Sequence, residues 1–475
     1  MRSFRLLSSM VVLLGVCAPR SAPIPTSAPA PPPAAAAPAA PVPANAVPSL
    51  ENAQVREIVA ARSAARVESD VRRLVGFGTR HTLSDTLSAT RGIGAARRWL
   101  FSEFESISRA CGGCLEVRYI DDIVPNIPVN RISRDVRVVD VVAIQRGRTD
   151  PDRHLIMTGH YDTRVRDLTD ATSDAPGAND DGSGVAATLE AARLLSRYPT
   201  DATVVYAAVA GEEQNLLGGR ILADYARAQG WKVEGVINND IVGNTRGGSG
   251  IVDNTHIRIL APGIPTTATA AELQRYLSYG GELDTPSRQL ARYVDRVADL
   301  YFPDLDARII YRLDRYGRGG DHTPFFQQGD PAIRMSEPNE DYTRQHQDIR
   351  EEGGVRYGDL PYGVDFAYLA KISALNAASL ASLAFASPPP DSVVALGALA
   401  YSTTLRWKPV AAPDLAGYRI YWRLPTDPNW THSRYVGNVT EFTLENVVID
   451  NFFFGLASVD REGNESYAVF PRAGR

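Results

Sequence analysis

The chain has 475 residues, three cysteines and a formal net charge of -5. That length exceeds one ordinary core and predicts two folded units plus extensions. The small net charge, with no long basic run, argues against nucleic acid as a partner.

Residues 1–18 carry Arg2 and Arg5 and then the apolar run Met10–Val16, the layout of a secretory signal peptide and too short to span a bilayer. The expectation is an exported protein, periplasmic or secreted. Cys17 follows Leu14, Gly15 and Val16, a poor lipoprotein site because the residue before such a cysteine is usually small, so cleavage is favoured over a lipid anchor. Residues 19–49, almost all Ala, Pro and Ser, read as a stiff spacer outside the fold. With the signal removed only Cys111 and Cys114 remain, and in an oxidising compartment they predict a small-loop disulfide rather than half of a metal site. No segment after the signal has the length and apolarity of a membrane span.

Helical spacing of apolar residues predicts a helix over Glu51–Val75 and another over Thr90–Arg109, the second with Ile93, Ala96, Trp99, Leu100, Phe104 and Ile107 in one stripe. Strands and helices then alternate. Strands are expected at Val136–Gln145, His154–His160, Thr203–Ala210 and Val233–Asn239, with helices at Gly184–Ser196 and Gly218–Gln229. This is the pattern of an α/β fold with a mixed, mainly parallel central sheet sandwiched by helices. An Ala- and Leu-rich helix over Asp365–Ala386 would close a domain of residues 50–387.

Pro388–Pro390 mark a boundary, and residues 388–475 alternate apolar and polar positions in short runs, as in a small all-β sandwich. Leu405–Pro409, Tyr418–Trp422 and Val459–Ser466 resemble a fibronectin type III domain, with Trp407 and Tyr418 as core residues. Surface or polymer binding by this part stays open.

Such sheets place their chemistry at the carboxyl ends of the strands, where His160, Glu212 with Glu213, and Asp240 fall. His160 in Gly159–Asp162 can offer a ring nitrogen to a metal while Asp162 orients the ring; alone, a His-x-Asp triplet is more often incidental. Asp180 lies in the turn Gly177–Gly184, where flanking glycines allow a sharp bend and a carboxylate can bridge two cations. The plain alternative is a helix cap, a role that better suits Asp181 or Ser183. Side by side, Glu212 and Glu213 tend to push their pKa values apart, so one can bind metal and the other exchange protons; without the other motifs they would read as a solvated loop. Asp240 ends an apolar run, although Asn238–Asp240 equally suits a turn. His322 and His346 are late histidines able to complete a second metal. His81, His154, His256 and His432 lie outside these contexts and read as structural or surface residues.

In order, Gly159–Asp162, Ala178–Gly184, Gly211–Glu213, Asn239–Asp240 and Gln345–Asp348 resemble the motifs of the co-catalytic di-zinc peptidase family that includes bacterial leucyl aminopeptidases and glutamate carboxypeptidase II. The resemblance runs from about Leu50 to Ala386. It implies two zinc ions per chain, His160 and Asp240 on one or the other, Asp180 bridging, and Glu213 and His346 completing the set. It also implies Glu212 as general base and Asp162 as the acid that orients His160. The family usually shows Tyr-His-Thr where this chain has Gln345-His346-Gln347, a looser match. His346 is still preferred over His322, because the family carries a string like Asp321–Phe326 upstream of the ligand, lining the site. Two His nitrogens among carboxylates suit zinc better than calcium or magnesium.

The expected reaction is peptide hydrolysis by a hydroxide held between the cations, with Glu212 moving the proton and Tyr316 or Arg318 as candidate donors to the carbonyl oxygen. An aminopeptidase acting on peptides with a free N-terminus is the first reading. A carboxypeptidase, a dipeptidase or a one-zinc glutaminyl cyclase are alternatives on the same scaffold, and a non-catalytic binding protein is a more distant one.

Overall fold

The structure, a computed structural model, describes residues 48–474, so the expected signal peptide and nearly all of the spacer lie outside the described residues. The helix expected over Glu51–Val75 is two helices, α1 (Ala53–Ala60) and α2 (Ala64–Val75). Ser63 breaks it: with φ -140 it leaves helical geometry and its hydroxyl accepts the Arg66 N–H, starting α2 afresh. α3 (Gly92–Ala110) follows and buries Ile93, Ala96, Leu100, Phe104 and Ile107, as its stripe predicts. Cys111 and Cys114 at its end form the expected disulfide.

The central sheet holds β1 (Leu115–Val124), β2 (Val136–Gln145), β3 (Asp150–His160), β4 (Ala202–Val209), β5 (Lys232–Asn239), β6 (His256–Leu260), β7 (Asp306–Ile310) and β8 (Ala332–Ser336). Their spatial order is β1-β2-β4-β3-β5-β8-β6-β7. The middle, from β4 through β3 and β5 to β8, is parallel, whereas β1–β2, β2–β4 and β6–β8 pair antiparallel. The remaining helices are α4 (Gly182–Leu195), α5 (Leu217–Ala228), α6 (Ala270–Tyr279), α7 (Pro286–Tyr301), α8 (His322–Gln328) and α9 (Phe366–Phe385).

β4 is buried at every position, as a strand covered on both faces requires. Its period of two divides it: Val204, Tyr206 and Ala208 join the core under α2, α3, α4 and α9, while Val205, Ala207 and Val209 join the core under α5 and α8. α9 corrects one expectation, since it is long and apolar enough to cross a membrane by length and composition. It is instead a core helix, with 83% of its apolar window buried inside the protein.

β9 (Arg350–Glu352) and β10 (Val355–Tyr357) form a separate hairpin. The C-terminal part holds β11 (Val394–Leu396), β12 (Thr403–Arg406), β13 (Leu415–Arg423), β14 (His432–Gly437), β15 (Glu441–Leu444), β16 (Phe453–Asp460) and β17 (Arg472–Ala473), in sheets ordered β15-β12-β11-β17 and β14-β13-β16. The sheets share one core in which Leu405, Trp407 and Leu444 meet Tyr418, Ile420 and Leu456. Trp407 and Tyr418 pack edge to face at 5.2 Å.

This β-rich part is not loosely tethered. All described residues fall in one compact unit, and buried charges cross the junction. Asp284, just ahead of α7, accepts from Arg292 at 2.8 Å and from Arg423 of β13 at 2.7 Å. Glu465 accepts from Arg419 at 2.6 Å and also pairs with Arg296 of α7.

Candidate metal centre

Three parallel strands deliver the site. β3 ends on His160, the turn after β4 carries Glu212 and Glu213, and Asp240 follows β5 directly. Asp180 arrives from the loop ahead of α4, which the fully buried Arg80 braces by donating to the carbonyls of Tyr161, Pro176 and Gly177 at 2.6, 2.6 and 2.9 Å. Asp181, not Asp180, caps α4: its Oδ1 accepts the Gly184 N–H at 2.9 Å. The same carboxylate accepts the N–H of His160 at 3.0 Å and of Ile241 at 3.2 Å, tying the ends of β3 and β5 to the start of α4.

Asp180 then faces two ways. Its Oδ1 lies 3.2 Å from His160 Nε2, which is 3.9 Å from Asp240 Oδ2. Its Oδ2 lies 2.9 Å from His346 Nε2, which is in turn 2.9 Å from Glu213 Oε1. Ligand atoms of His160, Asp180 and Asp240, and those of Asp180, Glu213 and His346, each fall within 4.8 Å of one another.

The donors fit metal ions. His160 Nε2 and Glu213 Oε1 are buried and, despite these short contacts, make no aligned hydrogen bond, an arrangement that is costly unless a cation takes the lone pairs. Two imidazoles among carboxylates are a donor chemistry for zinc.

The surroundings fix these ligands. His160 Nδ1 is 3.2 Å from the Asp162 carbonyl and 3.4 Å from its carboxylate, which sets the ring orientation. The Asp162 carboxylate also accepts the N–H groups of Glu212 and Glu213, each at 3.2 Å. Arg334, fully buried, reaches Asp240 Oδ1 at 2.8 Å. Arg164 donates to Glu213 Oε2 at 2.7 Å and to His346 Nδ1. Asp359 accepts the Asp180 N–H at 2.7 Å. Of these supports only Asp162 and the Asp181 cap were foreseen. Arg80, Arg164, Arg334 and Asp359 carry no local signature; the fold brings them in from distant segments.

Electrostatics separate the two glutamates. Burial pushes the Glu212 carboxyl well above the ordinary range, against the pull of His160 and with the push of Asp240 and Glu213. Glu213 ends below its usual value: burial would raise it, but His346 and Arg164 together outweigh that. His346 is drawn up to about 9, burial being overcome by Glu213 and Asp180.

A cavity of about 510 Å³ opens over the centre, lined by Asp180, Glu212, Glu213, Asp240 and His346. Arg318 lines it too, whereas Tyr316, His322 and Asp321 do not. Tyr316 is 91% exposed and is not on the cavity wall. His322 is fully buried and donates to the Leu313 carbonyl at 2.7 Å; burial lowers it to about 4, so it is neutral and structural. Asp321 is buried against Gly219 of α5 instead of lining the cavity, and burial pushes its carboxyl up to about 7.

Residues 140–351 match peptidase family M28. A probable zinc metalloprotease of Leptosphaeria maculans is 43% identical over 89% of this chain and 97% of its own length. Another, from Pyrenophora tritici-repentis, is 41% identical over 98% of this chain and 99% of its own, so the likeness includes the C-terminal sheets. Among solved structures, the LapA aminopeptidase of Legionella pneumophila covers 72% of this chain and 77% of its own at 16% identity and a TM-score of 0.50, a likeness of fold. With relatives this similar along nearly their whole lengths, the chain belongs to peptidase family M28, a family of zinc metallopeptidases.

Proposed function

We propose that the protein is an exported aminopeptidase that removes N-terminal residues with two zinc ions and Glu212 as the proton carrier. The observation that carries this reading is Asp180, whose two oxygens each face a separate set of one histidine and one further carboxylate. When bound, the zinc ions polarise the scissile carbonyl and bring the pKa of a water towards neutrality.

His160, Asp180 and Asp240 would hold one ion and Asp180, Glu213 and His346 the other. Glu212, facing the cavity and absent from both sets, takes the proton of the attacking water and passes it to the leaving amine. Asp162 keeps Glu212 and Glu213 in register by holding both backbone N–H groups. The intact pair of ligand sets weighs against a one-zinc cyclase and against a non-catalytic protein.

Export is supported by the N-terminal segment and by the Cys111–Cys114 disulfide, a bond at home in oxidising compartments. The fibronectin type III likeness is supported by the four-stranded and three-stranded sheets around Trp407 and Tyr418. Purified protein incubated with aminoacyl and N-blocked peptides, with and without chelator, tests the reading. Chelator-sensitive release of N-terminal residues from free peptides alone is expected; equal cleavage of blocked peptides would overturn it.

A further inference from the structure

The wall of the cavity does not resemble an apolar side-chain pocket. Small-molecule sites are usually lined mainly by hydrophobic groups, yet among the described residues Leu216 is the one large apolar side chain here, facing Arg131, Arg164, Arg315 and Arg318. The lining carboxylates are Asp180, Glu212, Glu213 and Asp240, three of them in the ligand sets. Two bound divalent cations would balance all four and leave the guanidiniums uncompensated by the lining.

Nor are Arg315 and Arg318 fully neutralised elsewhere. Both lean on Glu340, at 3.1 and 3.4 Å, and that carboxylate already holds Arg258 at 2.8 Å. Arg315 also lies 3.3 Å from Asp314, which engages Arg334 at 3.0 Å, and Arg318 donates to Gln345 at 3.3 Å. Two carboxylates thus serve four guanidiniums, each with five N–H donors. Arg131, on the loop between β1 and β2, makes no ion pair among the described residues. Arg164 is occupied with Glu213 and His346 and is a positioning residue.

We propose that this cavity selects peptides bearing a carboxylate next to the scissile bond, held by Arg315 and Arg318 with Arg131 on the same cavity wall. The inference rests on the peptidase reading above and names its substrate class. A planar guanidinium pairs with a carboxylate through two parallel hydrogen bonds, which gives geometry as well as charge. The carboxylate has two sources, an acidic side chain or the free C-terminus of a short peptide.

The test uses the full zinc-loaded protein with matched substrates: Ala-Ala-Ala-amide as the neutral reference, Glu-Ala-Ala-amide and Ala-Glu-Ala-amide for an acidic side chain, and Ala-Ala against Ala-Ala-amide for the C-terminus. At least one carboxylate substrate is expected to exceed its neutral partner in kcat/KM by about tenfold, the worth of one good charged pair. Which one does so distinguishes the sources. Arg315→Met and Arg318→Met, checked for zinc content and melting temperature, should shrink that ratio, and added salt should shrink it in the parent. Neutral peptides cleaved as fast as all acidic ones, with chelator sensitivity intact, would overturn the selectivity and leave the peptidase reading standing. A ratio unchanged in both variants would overturn the assignment to these arginines. No cleavage of any substrate would sink both readings together.

Discussion

Arg423 of β13 donates to Asp284 at 2.7 Å across the junction between the two halves of the protein, both side chains being essentially fully buried. Arg292 occupies the other oxygen of the same carboxylate. A buried ion pair is weak evidence of net stability, but removing one partner strands the other charge in low dielectric. The C-terminal sheets are therefore tied to the α7 region through buried charge.

Asp284→Asn should lower unfolding free energy by on the order of 3 kcal/mol, because two buried guanidiniums then lose their carboxylate, and Arg423→Met by less, because Asp284 keeps Arg292. Urea unfolding followed by fluorescence measures both. Indistinguishable midpoints would show that the junction is not stabilising.

Replacing Glu212 with Gln removes the proton carrier while preserving shape. Turnover should fall by about 10²–10⁴-fold with zinc content unchanged, since Glu212 belongs to neither ligand set. A variant that loses zinc as well would place Glu212 among the ligands.

Metal analysis after dialysis separates the two sets. His346→Ala should retain one zinc and Asp180→Ala should retain neither tightly, because the Asp180 oxygens belong to both sets. Equal loss in the two variants would contradict a bridging carboxylate.

Asp295 of α7 gives the junction a pH dependence. Burial pushes its carboxyl up to about 7, with Asp299 and Asp306 adding to the shift, although Asn429 donates to it at 2.6 Å. The folded state therefore holds this proton more tightly than the unfolded chain. The stability it contributes is fully present below the ordinary value of 3.8 and is lost as pH rises through about 7. Asp295→Asn mimics the protonated form, so its melting temperature should gain on the parent's steadily over that window. A difference that stays flat with pH would refute the shift.

The sheet was legible because its middle strands are covered on both faces and therefore read as continuous apolar runs; β4 is the clearest case. β1 escaped because it is an edge strand with only three of its ten residues buried, so no apolar run marks it. The break at Ser63 was hidden because one capping hydroxyl interrupts an otherwise helical pattern. The five ligand candidates lie at strand ends or sharp turns with recognisable local strings, and the fold brings them together. Tyr316 and Asp321 lie off the cavity wall, because a neighbour in sequence to a cavity residue need not face the cavity. The arginines are the deeper omission, since Arg164 and Arg334 owe their positions to segments far away in the chain.

Asp181 touches no candidate ligand atom, yet its carboxylate fastens the backbone of His160, the backbone beside Asp240 and the helix that follows Asp180. The separation between those ligands is thus dictated from behind, by a residue that is not itself a ligand. Exchanging a single donor therefore leaves in place the frame that spaces the others.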